Sequence, residues 1–318
     1  MPQSGDLSMT DSKEKTPAEY WLALSSVKGL GNVQIKRLIA RFGSVKAILD
    51  AESTEIERLA SLTPAIAAQI CTVTNDLPMF QEKLKALRNE NIHVLSLEDA
   101  NYPAQLKMIP DAPVILCGIG ELTKIDESCV AIVGTRKPTV EAIELTLGLA
   151  TTLTLNGYTI VSGLASGIDT FAHMGALAGS GKTIAVLGSD VLTVYPSKNR
   201  DLAADIQAQG CLLSEHPFRT SPSPRNLVKR NRIISGISQA TIVIEARESS
   251  GTLHTARFAQ GQGKPLFACR WEEDNRREGT RALLRDGALP FAPDGIDTVV
   301  EVLQHPEQFE TRQKSCLG

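Results

Sequence analysis

The stretch CVAIVGTRKP at residues 129–138 carries the pattern that decides the fold. It starts with a short apolar run, continues through a glycine, and becomes basic before an amphipathic segment begins. Similar apolar runs follow along the chain, separated by stretches of helical spacing: TIVSG (159–163), TIAVLG (183–188), CLLS (211–214) and ATIVIE (240–245). Strands buried on both faces have such runs, and their alternation with helices predicts a parallel sheet. We therefore predict an α/β fold with a doubly wound parallel sheet.

The region before the sheet has a different pattern. Apolar residues recur there at helical spacing, as in Ile35, Leu38, Ile39 and Phe42, and predict a small helical domain. Prolines between residues 92 and 127 favour a junction between the two domains. The predicted divisions are a disordered tail at 1–16, the helical domain at 17–91, the junction at 92–127, the α/β domain at 128–304 and a tail at 305–318.

Composition limits the class of protein. The chain has 318 residues, of which 42% are apolar and 22% charged, and this excludes a wholly disordered chain, a collagen or a coiled coil. The net charge of −3 and the aromatic content of 4% do not favour nucleic-acid binding by the molecule as a whole. Binding of that kind would need a local basic surface.

Cysteine spacing and hydropathy exclude further classes. The six cysteines form no CxxC pair and have no histidine cluster nearby, so we expect no metal site. The polar N-terminus is not a signal peptide, and no apolar run reaches the ~18 residues of a membrane span. We expect a cytoplasmic protein with reduced cysteines, no membrane contact and no cofactor.

The loop in VAIVGTRKP (130–138) is a candidate phosphate site. A strand ends at Val133, and a helix is predicted to begin near Thr139. Phosphates bind where a parallel strand ends and a helix begins, and Gly134, Thr135 and Arg136 lie there. The alternative is a plain turn with a solvated arginine.

The loop in VSGLASGID (161–169) has the same strand, loop and helix order. Ser162, Gly163 and Gly167 are small enough to leave backbone N–H groups accessible to an oxyanion or phosphate. Asp169 is interpreted as a helix cap rather than as a ligand contact. Because the two loops follow neighbouring strands, we expect them to converge on one pocket.

A basic stretch free of acidic residues lies between Glu215 and Glu245. Its centre places Lys229, Arg230 and Arg232 at the start of a predicted helix. Positive charge there opposes the helix dipole, and a nucleic-acid backbone would remove the conflict. The alternative is a basic surface whose charges pair with acids elsewhere.

The sequence EARESSGTLHTA (245–256) contains another strand-to-helix loop, opened by Gly251 and Thr252. It resembles the GGxGTxxE loop of nucleotide phosphoribohydrolases, but the catalytic glutamate of that loop is replaced by Thr255. The loop therefore suits phosphate or sugar binding without hydrolysis.

A turn between two predicted helices contains Gly29 and Gly31, with Lys28, Lys36, Arg37 and Arg41 nearby. In a helix–hairpin–helix such glycines let backbone N–H groups approach a phosphate. An ordinary tight turn between helices has the same sequence.

Together, these motifs resemble the DNA-processing protein A family (DprA, also called Smf). The resemblance spans residues 20–303 and is most specific at SGLASGID and KRNRIISG (229–236); it includes GSDVLTVYPSKNR (188–200). It implies a SAM-like helical domain before a Rossmann-like domain, with no catalytic residues. It also implies that the protein binds single-stranded DNA, brings the recombinase RecA onto it during transformation, and forms a homodimer.

The resemblance also implies a set of binding residues. The DNA-phosphate site falls on Gly134, Thr135, Arg136, Ser162, Gly163, Gly167, Lys229, Arg230, Asn231 and Arg232. Further candidates for DNA contact are Arg225, Gly29, Gly31, Gly251 and Thr252.

The chain departs from the family pattern in three places. Leu227 stands where the family has an aromatic residue, so base stacking there is not expected. The stretch CRWEEDNRREGT (269–280) replaces a Val-Pro-Gly segment. Because the sequence ends at Gly318, we expect no winged-helix domain of the kind found in some relatives.

The leading hypothesis is a non-catalytic, single-stranded-DNA-binding protein that helps to load RecA. The alternative is a sensor or a phosphoribohydrolase-like enzyme for a nucleotide-derived small molecule on the same fold.

Overall fold

A computed structural model describes residues 16–60, 62–122, 125, 128–271 and 277–305. The predicted tails lie almost wholly outside these ranges, as does the centre of the divergent stretch at 269–280. Within the described residues, no helix combines the length and the apolar character needed to cross a membrane.

One sheet of nine strands organises the described part of the chain, in the order β1-β2-β6-β5-β4-β3-β7-β8-β9. The strands from β3 onward pair in parallel, whereas β1 with β2 and β2 with β6 are antiparallel. The strands are β1 (His93–Ser96), β2 (Ile115–Gly120), β3 (Cys129–Val133), β4 (Thr159–Ser162), β5 (Thr183–Val186), β6 (Cys211–Ser214), β7 (Ala240–Val243), β8 (Leu266–Cys269) and β9 (Leu289–Phe291). The predicted α/β class, with a Rossmann-like doubly wound sheet, is confirmed.

Helices precede the sheet and cover it. The helices of the N-terminal region are α1 (Ala18–Ser26), α2 (Asn32–Phe42), α3 (Val45–Leu49), α4 (Ser53–Ala60), α5 (Pro64–Thr72) and α6 (Leu77–Asn89). The helices between strands, or after them, are α7 (Ala104–Lys107), α8 (Val140–Leu155), α9 (Ile168–Ala178), α10 (Arg200–Gln209), α11 (Pro224–Lys229), α12 (Asn231–Ile237), α13 (Thr252–Gly261), α14 (Glu278–Arg285) and α15 (Ile296–Gln304). Short 3-10 turns lie at Val73–Asp76 and Ser197–Asn199.

Two hydrophobic clusters lie on opposite faces of the sheet. Residues of β3 alternate between them: Ala131 and Val133 belong to the first cluster, and Val130 and Ile132 to the second. The first cluster extends without a break into the helical region, where it includes Trp21. The two domains therefore share a core.

The stretch 92–127 corrects our expectation of a junction. It supplies β1 and β2, which extend the sheet beyond β6. Its prolines suggest a linker in the sequence, but they lie in the connection between these strands, where no ladder hydrogen bond is required of them. The strand β2 is a buried apolar run and the longest of the nine strands described, so the prolines before it, and not a weak apolar signal, account for the wrong prediction.

The order of the strands creates a switch point between β3 and β7. From β3 the chain builds outward through β4, β5 and β6, and then crosses to the other side of β3 to form β7, β8 and β9. The loops that follow β3 and β7 therefore diverge, which opens a crevice at the carboxyl ends of these strands.

Candidate functional site

A cavity of about 610 Å³ opens at this switch point. The predicted site residues that line it are Gly134, Thr135, Arg136, Arg230, Asn231, Gly251 and Thr252. The predicted residues that do not line it are Ser162, Gly163, Gly167, Lys229, Arg232, Arg225, Gly29 and Gly31. The cavity thus brings together residues from the loops after β3 and β7 and from the basic stretch.

Glu245 fixes both ends of the loop that carries Arg136. The backbone oxygen of Glu245 accepts a hydrogen bond from the N–H of Thr135 (2.7 Å). Its buried carboxylate accepts one from the N–H and one from the hydroxyl of Thr139 (3.1 and 2.9 Å). Thr139 in turn caps α8, as its position in the sequence predicts. Arg136 and Lys137 lie between these anchors and are exposed at the cavity.

The loop after β4 corrects the prediction of an anion-binding nest. The N–H groups of Gly163 and Ala165 donate to Oδ2 of Asp169 (3.2 and 3.4 Å), so the protein's own carboxylate takes the place predicted for an external phosphate. The Ser162 hydroxyl is buried and donates to the carbonyl of Ile132 (2.7 Å). Asp169 was also predicted to cap its helix, but the N-cap position is Gly167.

Gly163 and Gly167 have steric roles. A Cβ at residue 163 would overlap the guanidinium of Arg230. Gly167 has a φ of +85°, and a Cβ there would overlap the backbone oxygen of Thr135. These glycines let the two loops and Arg230 pack closely.

Arg230 forms the floor of the cavity. It is 4% exposed, and its guanidinium donates to the carbonyls of Gly163 and Val186, while Nε donates to the carbonyl of Leu227 (3.2 Å). Nη2 lies 3.8 Å from Oδ2 of Asp169. Its charge therefore reaches the cavity from a fixed and buried position.

The ionisation of this floor is governed by burial. Burial raises the pKa of Asp169, although the charge of Arg230 opposes the shift. Burial lowers the pKa of the Arg230 guanidinium, and the negative charge of Asp169 opposes that shift. His173, one turn further along α9, is fully buried, and burial together with Arg230 lowers its pKa to about 3. His173 is therefore neutral in the folded protein near neutral pH.

Arg232 and Lys229 correct the prediction that this basic stretch faces DNA as a whole. Arg232 is 2% exposed; its Nη2 lies 2.8 Å from Oε2 of Glu215, and its Nε lies 3.0 Å from Oδ2 of Asp111. Lys229 is exposed, but its Nζ lies 3.0 Å from the same oxygen of Glu215. The alternative considered from the sequence, charges paired with acids elsewhere, describes these two residues.

The helix boundaries also differ from the prediction. One helix ends at Lys229, and the next begins at Asn231, with Arg230 between them. Lys229 thus lies at the C-terminal end of α11, where positive charge is favourable. The predicted conflict with the helix dipole does not arise at this residue.

The loop after β7 closes the opposite side of the cavity. The hydroxyl of Thr252 donates to the carbonyl of Gly134 (2.8 Å) and ties the start of α13 to the Arg136 loop. Gly251 is exposed at the N-cap of α13. Thr255 lines the cavity and is 2% exposed.

The helical hairpin lies apart from this cavity. Gly29 and Gly31 occupy the turn between α1 and α2, as predicted, and Gly29 has a φ of +87°. The N–H of Gly31 donates to the side chain of Gln34 (2.8 Å). Lys36 donates to the carbonyls of Lys107 and Ile109 (3.2 and 2.9 Å), so it joins the two domains.

Three charged or aromatic residues of the cavity lining were not singled out from the sequence. Lys137 follows Arg136, Arg247 lies in the loop after β7, and Tyr195 precedes Pro196 in the loop after β5. All three are exposed, and Tyr195 lies in the same cavity lining as Leu227. Each falls inside a motif quoted above, so its position near a strand end was the available signal.

Comparison with known proteins then identifies the family. A family model described as DNA recombination-mediator protein A matches residues 93–304. The chain belongs to this family. Protein Smf of Synechocystis sp. is 37% identical over 274 residues, which cover 85% of this chain and 69% of that protein. Protein Smf of Escherichia coli is 35% identical over 273 residues, covering 85% and 71%.

Solved structures of family members share the fold. DNA processing protein A from Streptococcus pneumoniae has a TM-score of 0.77 and 29% identity, covering 90% of this chain and 98% of that one. The protein from Helicobacter pylori has a TM-score of 0.60 and 32% identity, covering 66% and 96%. That structure concerns a single-stranded DNA binding mode of the H. pylori protein.

Proposed function

We propose that this protein binds single-stranded DNA at the switch-point cavity. The observation that carries the proposal is a group of exposed cations at this cavity, Arg136, Lys137 and Arg247. Within the described part of the chain, none of them forms an ion pair. Free cations beside a concave surface attract the backbone of a nucleic acid.

The lining of the cavity favours a single strand over a duplex. A cavity of about 610 Å³ has room for an unpaired base, whereas a duplex keeps its bases stacked inside. Tyr195 is 45% exposed in the lining and offers an aromatic face for stacking. Arg136 and Lys137 would bind phosphates on either side of such a base.

We further propose that the protein loads the recombinase RecA onto bound DNA and acts as a homodimer. The support is that the chain belongs to the DNA recombination-mediator protein A family. Light scattering tests the dimer. Capture of RecA by a variant that no longer binds DNA would separate a direct contact with RecA from one bridged by DNA.

We propose that the protein is not an enzyme. Thr255 stands at the position of the catalytic glutamate of nucleotide phosphoribohydrolases and carries no carboxylate. The carboxylate of Asp169, which does line the cavity, already accepts hydrogen bonds from two backbone amides. Incubation with nucleoside monophosphates should release no free base. Turnover would instead favour the enzymatic alternative.

The substitution Arg136→Ala tests the binding site. It removes an exposed charge that forms no ion pair with the described residues, so the fold should stay intact. We expect affinity for a single-stranded oligonucleotide to fall about tenfold at low salt, which corresponds to about 1.4 kcal/mol. The slope of log affinity against log salt should become shallower by about 0.7 for each phosphate that the variant no longer neutralises.

The matched control is Arg257→Ala, which removes an exposed arginine of α13 that does not line the cavity. It should leave both affinity and slope unchanged. Equal effects of the two substitutions would show that binding depends on overall charge and would reject the cavity as the site. Duplex DNA of the same sequence should bind more weakly.

A further inference from the structure

We propose that the helical domain holds one wall of the DNA cavity in place, by clamping Phe218. The proposal rests on the function proposed above, because the expected consequence is a change in affinity for single-stranded DNA. It assigns the helical domain a positioning role that requires no contact between that domain and the strand.

The clamp consists of two rings and a cation. The rings of Phe80, on α6, and Phe218, after β6, have centroids 6.4 Å apart and are inclined by 27°. The ammonium of Lys83 lies 4.5 Å from the centroid of the Phe218 ring and 5.4 Å from that of the Phe80 ring. Offset stacked rings and a cation over their faces attract each other, so α6 fixes the position of Phe218.

Phe218 begins a segment that becomes the cavity wall. Its carbonyl accepts a hydrogen bond from the hydroxyl of Thr220 (2.8 Å). Pro222, Ser223 and Pro224 follow a few residues later along the chain and line the cavity. The Ser223 hydroxyl then caps α11 by accepting from the N–H of Asn226 (3.2 Å). Displacement of Phe218 would therefore be passed along a short and continuous piece of backbone.

Asp190 connects the same segment to the loop that carries Tyr195. Oδ2 of Asp190 accepts hydrogen bonds from the N–H of Thr220 (2.7 Å) and from the hydroxyl of Thr193 (2.9 Å). Oδ1 accepts from the N–H of Leu192 (3.0 Å). The carboxylate of Asp190 therefore ties the segment after β6, which contains Thr220, to the segment after β5, which leads to Tyr195. A shift of Thr220 would be passed to the Tyr195 segment through this carboxylate.

A second connection supports the other end of the wall. Lys36 on α2 holds the carbonyls of Lys107 and Ile109, and Asp111 follows them and pairs with Arg232. Arg232 lies on α12, two residues after the Arg230 floor. Both connections begin in the helical domain and end in residues that shape the cavity, which is consistent with the core that the two domains share.

The test is Phe218→Ala in the full chain. Phe218 is half-buried and does not line the cavity, so the substitution removes the clamp without removing a lining residue. We expect affinity for single-stranded DNA to fall about fivefold, which corresponds to about 1 kcal/mol. The salt slope should not change, because every cation that binds a phosphate is still present. Phe218→Tyr keeps the aromatic ring and should bind single-stranded DNA with the affinity of the unaltered protein.

Hydrogen exchange measured without DNA separates this proposal from the proposed function. The N–H groups of Thr220 and Leu192 should exchange faster in Phe218→Ala. The N–H of Ala142, which donates to the hydroxyl of Thr139 at the start of α8, should not. Lys83→Ala should act in the same direction, and Lys85→Ala, on the exposed face of the same helix, should have no effect.

The following results would overturn the proposal. Unchanged exchange at Thr220 would show that Phe218 does not hold the wall. Faster exchange with unchanged affinity would show that the wall does not matter for binding. If the unaltered protein fails to bind single-stranded DNA, the proposed function fails, while the exchange data still report on the clamp.

Discussion

The loop at 134–137 and the stretch at 229–232 are both basic, and both were predicted to bind phosphate. In the first, Arg136 and Lys137 are exposed at the cavity, and no ion pair within the described ranges involves them. In the second, Arg230 and Arg232 are 4% and 2% exposed and are held by carbonyls and carboxylates. The first stretch offers its charge to a ligand, and the second uses its charge to build the site.

The difference shows that a run of basic residues in a sequence reveals positive charge, but not whether that charge is free to bind a ligand. Glu215 immediately precedes the basic stretch that is free of acidic residues, and its buried carboxylate accepts hydrogen bonds from Lys229 and Arg232. Asp111 and Asp169 come from other elements to meet Arg232 and Arg230. These acids are distant in sequence, so their pairing depends on the tertiary fold.

The largest effect should come from Arg232→Ala. It leaves the buried carboxylate of Glu215 with Lys229 as its remaining cationic partner, and removal of one member of a buried ion pair costs about 3 kcal/mol. Urea denaturation should show this decrease in stability, whereas Arg136→Ala should change stability by less than about 0.5 kcal/mol. Equal stability of the two variants would show that the stretch at 229–232 is no more important for the fold than the loop at 134–137.

A smaller effect should appear in acid. Burial opposes ionisation of Glu215, but Arg232 and Lys229 outweigh it, so the pKa of Glu215 lies below its ordinary value of 4.5. The stabilisation from Glu215 is thus complete above the unfolded pKa and is lost as pH falls through the lower folded pKa.

Glu215→Gln should therefore cost stability at neutral pH, by about 2 kcal/mol, and the cost should shrink as the pH falls below 4.5. Urea midpoints across this range measure the effect. The control Glu248→Gln alters an exposed residue and should follow the unaltered protein at every pH. A cost that stays constant with pH would argue against the ionised Glu215 as the partner of the basic stretch.

The smallest effect should come from Arg225→Ala. Arg225 is exposed on α11 but does not line the cavity. Its removal should weaken single-strand binding by less than about twofold and leave stability unchanged. Titration of Arg225→Ala and Arg136→Ala with the same single-stranded oligonucleotide measures the difference in affinity. An effect as large as that of Arg136→Ala would extend the binding surface along α11.

Much of the fold was predictable because its signals are local. The runs at β3 to β7 are mainly apolar, and their alternation with helices indicates a parallel sheet. The strands β1, β2 and β9 were not predicted. The outer strands β1 and β9 have only four and three residues. The apolar run of β2 follows closely spaced prolines, which suggested a linker instead. That the two domains share a core depends on contacts between residues far apart in sequence.

The site was predictable in part for the same reason. Loops at strand ends were located correctly, and Arg136 and Thr252 line the cavity as their motifs predict. The role of Gly163 could not be inferred, since a glycine that exposes an amide and one that makes room for a side chain look alike in sequence. That distinction requires the positions of Asp169 and Arg230.

The close packing of Gly163 against Arg230 has a consequence for how the sequence can change during evolution. Any side chain at residue 163 collides with the guanidinium. Removal of the guanidinium takes away a donor to the carbonyls of Gly163 and Val186 and the cation beside the buried Asp169. A replacement at either position is therefore deleterious until the other also changes. Among relatives, we expect these two positions to covary, with glycine at the first wherever arginine occupies the second.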